Sequence, residues 1–101
     1  MAKTEKGKKK GEKAIVRADS FQKFYVTNLI AFETKYDFRI ELMNERLKFE
    51  DRWEYVSDAM VILTPQAAKK LRNILSNYVK KHEDKEGPIE KPDMISRDVS
   101  D

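Results

Sequence analysis

His82 is the only histidine of this chain, and it stands between Lys80-Lys81 and Glu83-Asp84. In that company, near the end of a helical pattern, an imidazole is placed to interact with a helix dipole rather than to serve as a general base. The sequence has no cysteine, which removes disulfides and thiolate ligation, and one histidine alone cannot build a zinc site of the usual kind. Glu50, Asp51, Glu54 and Asp58 crowd together. They lack the one-three-five spacing and central glycine of the common calcium loop, so a solvated loop or sheet face is the better reading. No Ser, Asp or Glu has neighbours patterned as an activated nucleophile. Loops that cradle phosphates need closely spaced glycines, whereas Gly7 and Gly11 sit in a lysine run and Gly87 is alone. The inventory argues against an enzyme, and no cofactor or metal is expected.

What the sequence does supply is positive charge, unevenly placed. Net charge is +3. Residues 1–17 hold seven basic groups against two acidic, among them Lys3, Lys6, Lys8, Lys9, Lys10 and Lys13. Such a segment can neutralise phosphates without reading sequence, driven by counterion release; it is equally the composition of a solubilising tail. Residues 64–82 hold five basic groups and no acid: Lys69, Lys70, Arg72, Lys80 and Lys81. Between these two stretches, residues 18–63 carry nine acidic groups against six basic, and residues 83–101 carry seven against three. The alternation suits contact between copies as well as contact with anions. The candidate phosphate contacts are the six tail lysines together with Lys69 and Lys70, and any binding of RNA or DNA through them is expected to be non-specific. Phe21, Phe24, Tyr25 and Phe32 could stack bases on an open sheet, but at strand spacing such aromatics are more often core.

The elements that must carry these residues lie in the middle of the chain. Residues 21–34, FQKFYVTNLIAFET, are rich in aromatic and β-branched types and contain no Gly or Pro, which predicts a strand. Its alternation is imperfect. Phe24, Val26, Ile30 and Phe32 share one parity, while Tyr25, Leu29 and Ala31 take the other, so the strand needs cover on both faces. Residues 36–43, YDFRIELM, alternate strictly, with Tyr36, Phe38, Ile40 and Leu42 on one face and Asp37, Arg39 and Glu41 on the other. The outward charges also discourage edge-to-edge pairing. Residues 55–63 read as a third strand. The stretch 44–54, NERLKFEDRWE, reads either as a further strand or as a hairpin loop, with a turn at Asn44-Glu45.

The helix over 65–85 has the plainest signature. Thr64 is a good N-cap, and Pro65 sits at the first helical position, where a missing N–H costs nothing. Ala67, Leu71, Ile74, Leu75, Tyr78, Val79 and His82 recur at helical spacing as one apolar stripe, expected to face the sheet. Gly87-Pro88 ends it. The expected organisation is therefore a basic disordered tail at 1–17, one α+β domain at 18–87, and a flexible acidic tail at 88–101 in which Met94, Ile95 and Val99 could dock on something. No apolar stretch approaches the roughly 20 residues that span a bilayer, and no signal peptide is visible, so a cytoplasmic location with no membrane contact is expected. The Cys-free, Lys/Glu-rich composition, 39% charged with two Gln, resembles that of proteins from hot habitats.

A 101-residue chain whose ordered part is shorter still can bury only a marginal core, and such domains gain burial by oligomerising. A dimer or larger assembly is expected, with Phe24, Tyr25, Val26, Leu29, Ile30 and Phe32 as the candidate interface.

The ordered motifs YVTN, YDFRIEL and LTPQAAKKLRNILSNYVKKHEDKEGPI resemble those of the domain-of-unknown-function family 3467 (DUF3467), small bacterial and archaeal proteins. The residues that carry the likeness are Tyr36, Asp37, Phe38 and Arg39, then Thr64, Pro65, Ala68, Lys70, Leu71 and Leu75, and finally Glu83, Gly87 and Ile89. The segment NERLKFEDRWEY departs from the family pattern in being longer and more charged. The resemblance implies a fold and no activity. The element order is also similar, at fold level only, to a shortened version of the export chaperone SecB. Together these readings give an antiparallel sheet of three or four strands followed by one long C-terminal amphipathic helix. The expected role is a non-catalytic oligomeric interaction protein, the alternatives being a nucleic-acid- or ribosome-associated factor and a holdase.

Overall fold

A computed structural model describes residues 13–92 and 94–95. Three strands, β1 (Asn28–Glu33), β2 (Phe38–Phe49) and β3 (Arg52–Leu63), form an antiparallel meander in the order β1-β2-β3, and the helix α1 (Pro65–Glu86) follows. The α+β class and the sheet-then-helix order are as expected.

The strand boundaries differ from the sequence reading in instructive ways. Only the second half of residues 21–34 is strand, because only Asn28–Glu33 finds partners in β2. Thr27 adds one more bond, its N–H donating to the Met43 carbonyl at 2.9 Å. Asn44-Glu45 is not a turn. β2 runs through it, and the register shifts between Leu42 and Met43 and again between Met43 and Arg46. The chain reverses instead at Glu50-Asp51, where Glu50 takes φ 58°. A two-residue hairpin needs positive φ to match the strand twist, and here a glutamate supplies it without the glycine that usually does. The uncertain stretch 44–54 is thus the far end of one long hairpin. Since β1 reaches only to Asn28, opposite Met43, the hairpin beyond that point is a two-stranded arm.

The register sorts the side chains onto two faces. Cross-strand rows Leu29–Leu42–Ala59, Ala31–Ile40–Val61 and Glu33–Phe38–Leu63 lie on one face, which is apolar save for Glu33. Along the arm the same face continues through Val56, Leu47 and Phe49, paired with Glu54 and Arg52. The opposite face carries the rows Asn28–Met43–Ser57, Ile30–Glu41–Met60 and Phe32–Arg39–Ile62. The buried residues sit on this mixed face: Ile30 is 8% exposed, Met43 4% and Asn28 9%.

The helix begins where the sequence placed it. Thr64 Oγ1 accepts from the Ala67 N–H at 3.1 Å, and Pro65 occupies the first turn. It ends at Gly87, whose φ of 101° is readily available only to glycine and whose N–H donates to the Glu83 carbonyl at 2.9 Å. One expectation fails: the helix does not bury its stripe on the sheet. None of its residues is buried, and its contacts with the sheet are mainly those with β3, the strand it follows. Leu75 remains 50% exposed and Tyr78 63%. The physical reason lies in the joint. Thr64 alone links β3 to α1, it is held extended (φ −66°, ψ 159°) by the cap, and a residue before proline is kept out of the α region.

Candidate functional site

Side chains of distinct chemistry converge in three places. The first is the β1–β2 turn. Thr34 Oγ1 accepts from the N–H groups of Tyr36 (3.1 Å) and Asp37 (3.0 Å) and donates to Asp37 Oδ1 at 2.7 Å. Arg39 closes the figure as a two-pronged donor, Nε to Oδ1 at 3.1 Å and Nη2 to Oδ2 at 3.3 Å. A fork meeting both carboxylate oxygens fixes geometry as well as charge. The Arg39 guanidinium, then the Thr34 hydroxyl, hold the Asp37 carboxyl below its ordinary value of 3.8, and Arg39 is raised in return by the same contact. From the sequence, Asp37 and Arg39 stand as outward charges and as part of the family motif, without a link between them. The signal that could have joined them is their i, i+2 spacing on a strand, which puts both on one face.

The second is the hairpin arm. Arg46 lies opposite Tyr55 and Lys48 opposite Trp53, so all four share a face. The Arg46 guanidinium carbon stands 4.4 Å from the Trp53 ring centre and the Lys48 ammonium 5.8 Å from it, while the ring stays 52% exposed. Cations at such distances are attracted to the ring quadrupole. None of these residues was singled out as a site from sequence, because the grouping arises from register across a turn. The acids named beside them do not form a ligand set: Glu54 pairs with Arg52 at 2.8 Å, and among the described residues no three side chains of the metal-binding types gather.

The third is the helix. Lys69 and Lys70 are exposed, Arg72 donates twice to Asn73 Oδ1 (3.1 and 3.0 Å), Lys80 reaches Asp84 at 3.4 Å, and Lys81 lies 5.7 Å from the Tyr78 ring centre. His82 is exposed and near no such cluster. Of the tail lysines, Lys13 is described and exposed; Lys3, Lys6, Lys8, Lys9 and Lys10 lie outside the described residues, as does the disorder expected there.

The candidate interface splits. Phe24, Tyr25, Val26 and Leu29 are exposed, Phe32 is intermediate, and Ile30 is covered within the chain. Met94 and Ile95 line a groove with Val26 to Ala31 and Pro92, whereas Val99 lies outside the described residues. No helix among the described residues is long and apolar enough to cross a membrane.

These features define a small sheet-then-helix chain with an Asp–Arg–Thr locked turn and an uncovered amphipathic helix. The chain belongs to DUF3467, a family described as a protein of unknown function, whose model matches residues 1–91. The match takes in the basic N-terminal stretch as well as the core that carries the motifs. Comparison with curated proteins and with solved structures gave no match, so the likeness to SecB rests on element order alone.

Proposed function

We propose that this DUF3467 member is a non-catalytic interaction protein that works as an assembly of copies. One observation carries the reading: the helix stripe Leu71, Ile74, Leu75, Tyr78 and Val79 is exposed throughout, while the buried hydrophobic residues among those described are Ile30 and Met43. A single copy leaves a continuous apolar stripe of its helix in water, which a stable monomeric fold does not do. Light scattering in the micromolar range tests it. The expected mass is at least twice the 11.9 kDa of one chain, and a persistent monomer would overturn the reading.

A second reading, contact with RNA or DNA, is favoured by the arm. Trp53 offers a half-exposed ring beside two cations, a combination suited to stacking a base while neutralising its phosphate. The lysines of the basic tail, with Lys69 and Lys70, add sequence-independent attraction. Electrophoretic mobility of a single-stranded oligonucleotide at low salt tests this reading, and an unshifted oligonucleotide would remove it.

A further inference from the structure

We propose that the copies assemble by exchanging helices, α1 of one chain lying on the apolar sheet face of a second copy. This rests on the assembly reading above and specifies its geometry.

Two surfaces of the same chain are unpartnered and complementary. One is the helix stripe. The other is the sheet face on which Leu29, Phe38, Leu47, Phe49, Val56 and Val61 all remain exposed. Their lengths agree. The helix has 22 residues, about 33 Å at 1.5 Å per residue. Each long strand has 12 residues, about 40 Å at 3.3 Å per residue. The charged residues in the register of the receiving face are Glu33, Glu54 and Arg52, two acids to one base, while residues 64–82 have five basic groups and no acid.

The joint selects a second copy over the chain's own sheet. Laying α1 on its own apolar face requires a turn toward that face between Leu63 and Pro65, and Thr64 is the only residue available. Its extended conformation, its capping bond to Ala67 and the proline after it fix the direction in which α1 leaves. Just past the helix, Lys91 and Pro92 line a pocket with Asn28, Arg46 and Tyr55 of the mixed face, away from the apolar one. A connection too short to turn is the usual origin of exchanged elements. The area is adequate. A helix of this length and a diameter near 10–12 Å covers about 400 Å². Each copy both gives and receives one helix, so about 800 Å² per partner is covered, the size of a standard stable interface.

Lengthening the joint tests the exchange. Six Gly/Ser residues inserted between Leu63 and Thr64 let α1 return to its own sheet, so the dimer expected of the unaltered chain should become a folded monomer with the same helix content. Because the chain has no cysteine, cross-linking gives a second measurement. Leu75→Cys protein is mixed with a mass-tagged chain carrying Leu47→Cys, Val56→Cys or Val61→Cys, three positions along the receiving face, and oxidised. Mixed disulfide dimers from at least one pair are expected. A wild-type monomer would sink the assembly reading and the exchange with it. A wild-type dimer whose lengthened variant stays dimeric, with no mixed disulfide from any pair, would leave assembly standing and overturn the exchange.

Discussion

Leu75→Asp places a charge in the middle of the helix stripe. Leu75 is 50% exposed in the single chain, so a partner covering it removes about half of a leucine from water. Full burial contributes about 1.5–3 kcal/mol, which makes that half worth about 1 kcal/mol. An unpartnered carboxylate in the same contact costs about 1–3 kcal/mol more. A symmetric dimer contains the site twice, so the total is about 4–8 kcal/mol, a thousand-fold or greater weakening of association at 1.4 kcal/mol per decade. Sedimentation velocity across the micromolar range reads the mass, and circular dichroism reads the fold. The expected result is a monomer that keeps its sheet signal. An L75D chain that sediments like the unaltered protein would refute the placement of the stripe in the interface. An L75D chain that loses its sheet as well would show that α1 stabilises its own sheet in the same copy.

Glu50→Gly should raise the thermal midpoint by a few degrees, since glycine relieves positive-φ strain of about 1–2 kcal/mol and returns about half to chain entropy; a lower Tm in calorimetry would contradict the turn geometry. Asp37, with its pKa lowered by Arg39 and Thr34, contributes stability that is present above its ordinary 3.8 and lost as pH falls through the lowered value. Asp37→Asn should therefore be less stable at neutral pH and show a shallower loss of stability in acid, and parallel acid profiles of the two proteins would argue against the locked turn. If nucleic acid binds, deletion of residues 1–13 should remove most of the affinity, with a salt slope near −0.7 per phosphate contacted. Trp53, the only tryptophan, should be quenched on binding, and unchanged emission would confine contact to the tail.

The helix was legible almost to the residue because its boundary signals are local: Thr64 and Pro65 at one end and Gly87 at the other act on their own neighbours. The period-two segment YDFRIELM was legible for the same reason. The strand at 21–34 was over-read, since aromatic and β-branched content marks what can pair, and pairing stops where β2 offers no partner. The hairpin turn was misplaced because Asn44-Glu45 has the better turn residues, yet cross-strand register decides, and Glu50 is carried into positive φ by it. Both side-chain clusters escaped notice for a related reason. Arg46, Lys48 and Trp53 meet only once the register is known, and Thr34 joins Asp37 only once the turn closes. The apolar stripe identified which face of the helix seeks cover. Nothing in helical periodicity says which chain provides it.

The basic face of α1 over residues 65–82 then has an explanation that needs no ligand. A helix laid on the sheet of its own chain could take its counter-charges from a short list of neighbours, and in the single copy Lys80 finds Asp84 while Lys69 and Lys70 stay in water. On the apolar face of a second copy, the rim offers Glu33 at one end and the turn acids Glu50 and Asp51 at the other, where Glu54 is already paired with Arg52. Such exposed pairs add little affinity, about 0–1 kcal/mol each, but a helix that met its own basic face would be repelled. The charges would therefore act on register and partner choice, and the apolar stripe on affinity. The two features that stood apart in the sequence, an apolar stripe without a core and a basic face without an anion, become the two halves of one contact. Raising salt should then leave the assembly's mass nearly unchanged, because burial and not charge holds it. Dissociation by moderate salt, read by light scattering, would reverse that order and make the lysines the source of affinity.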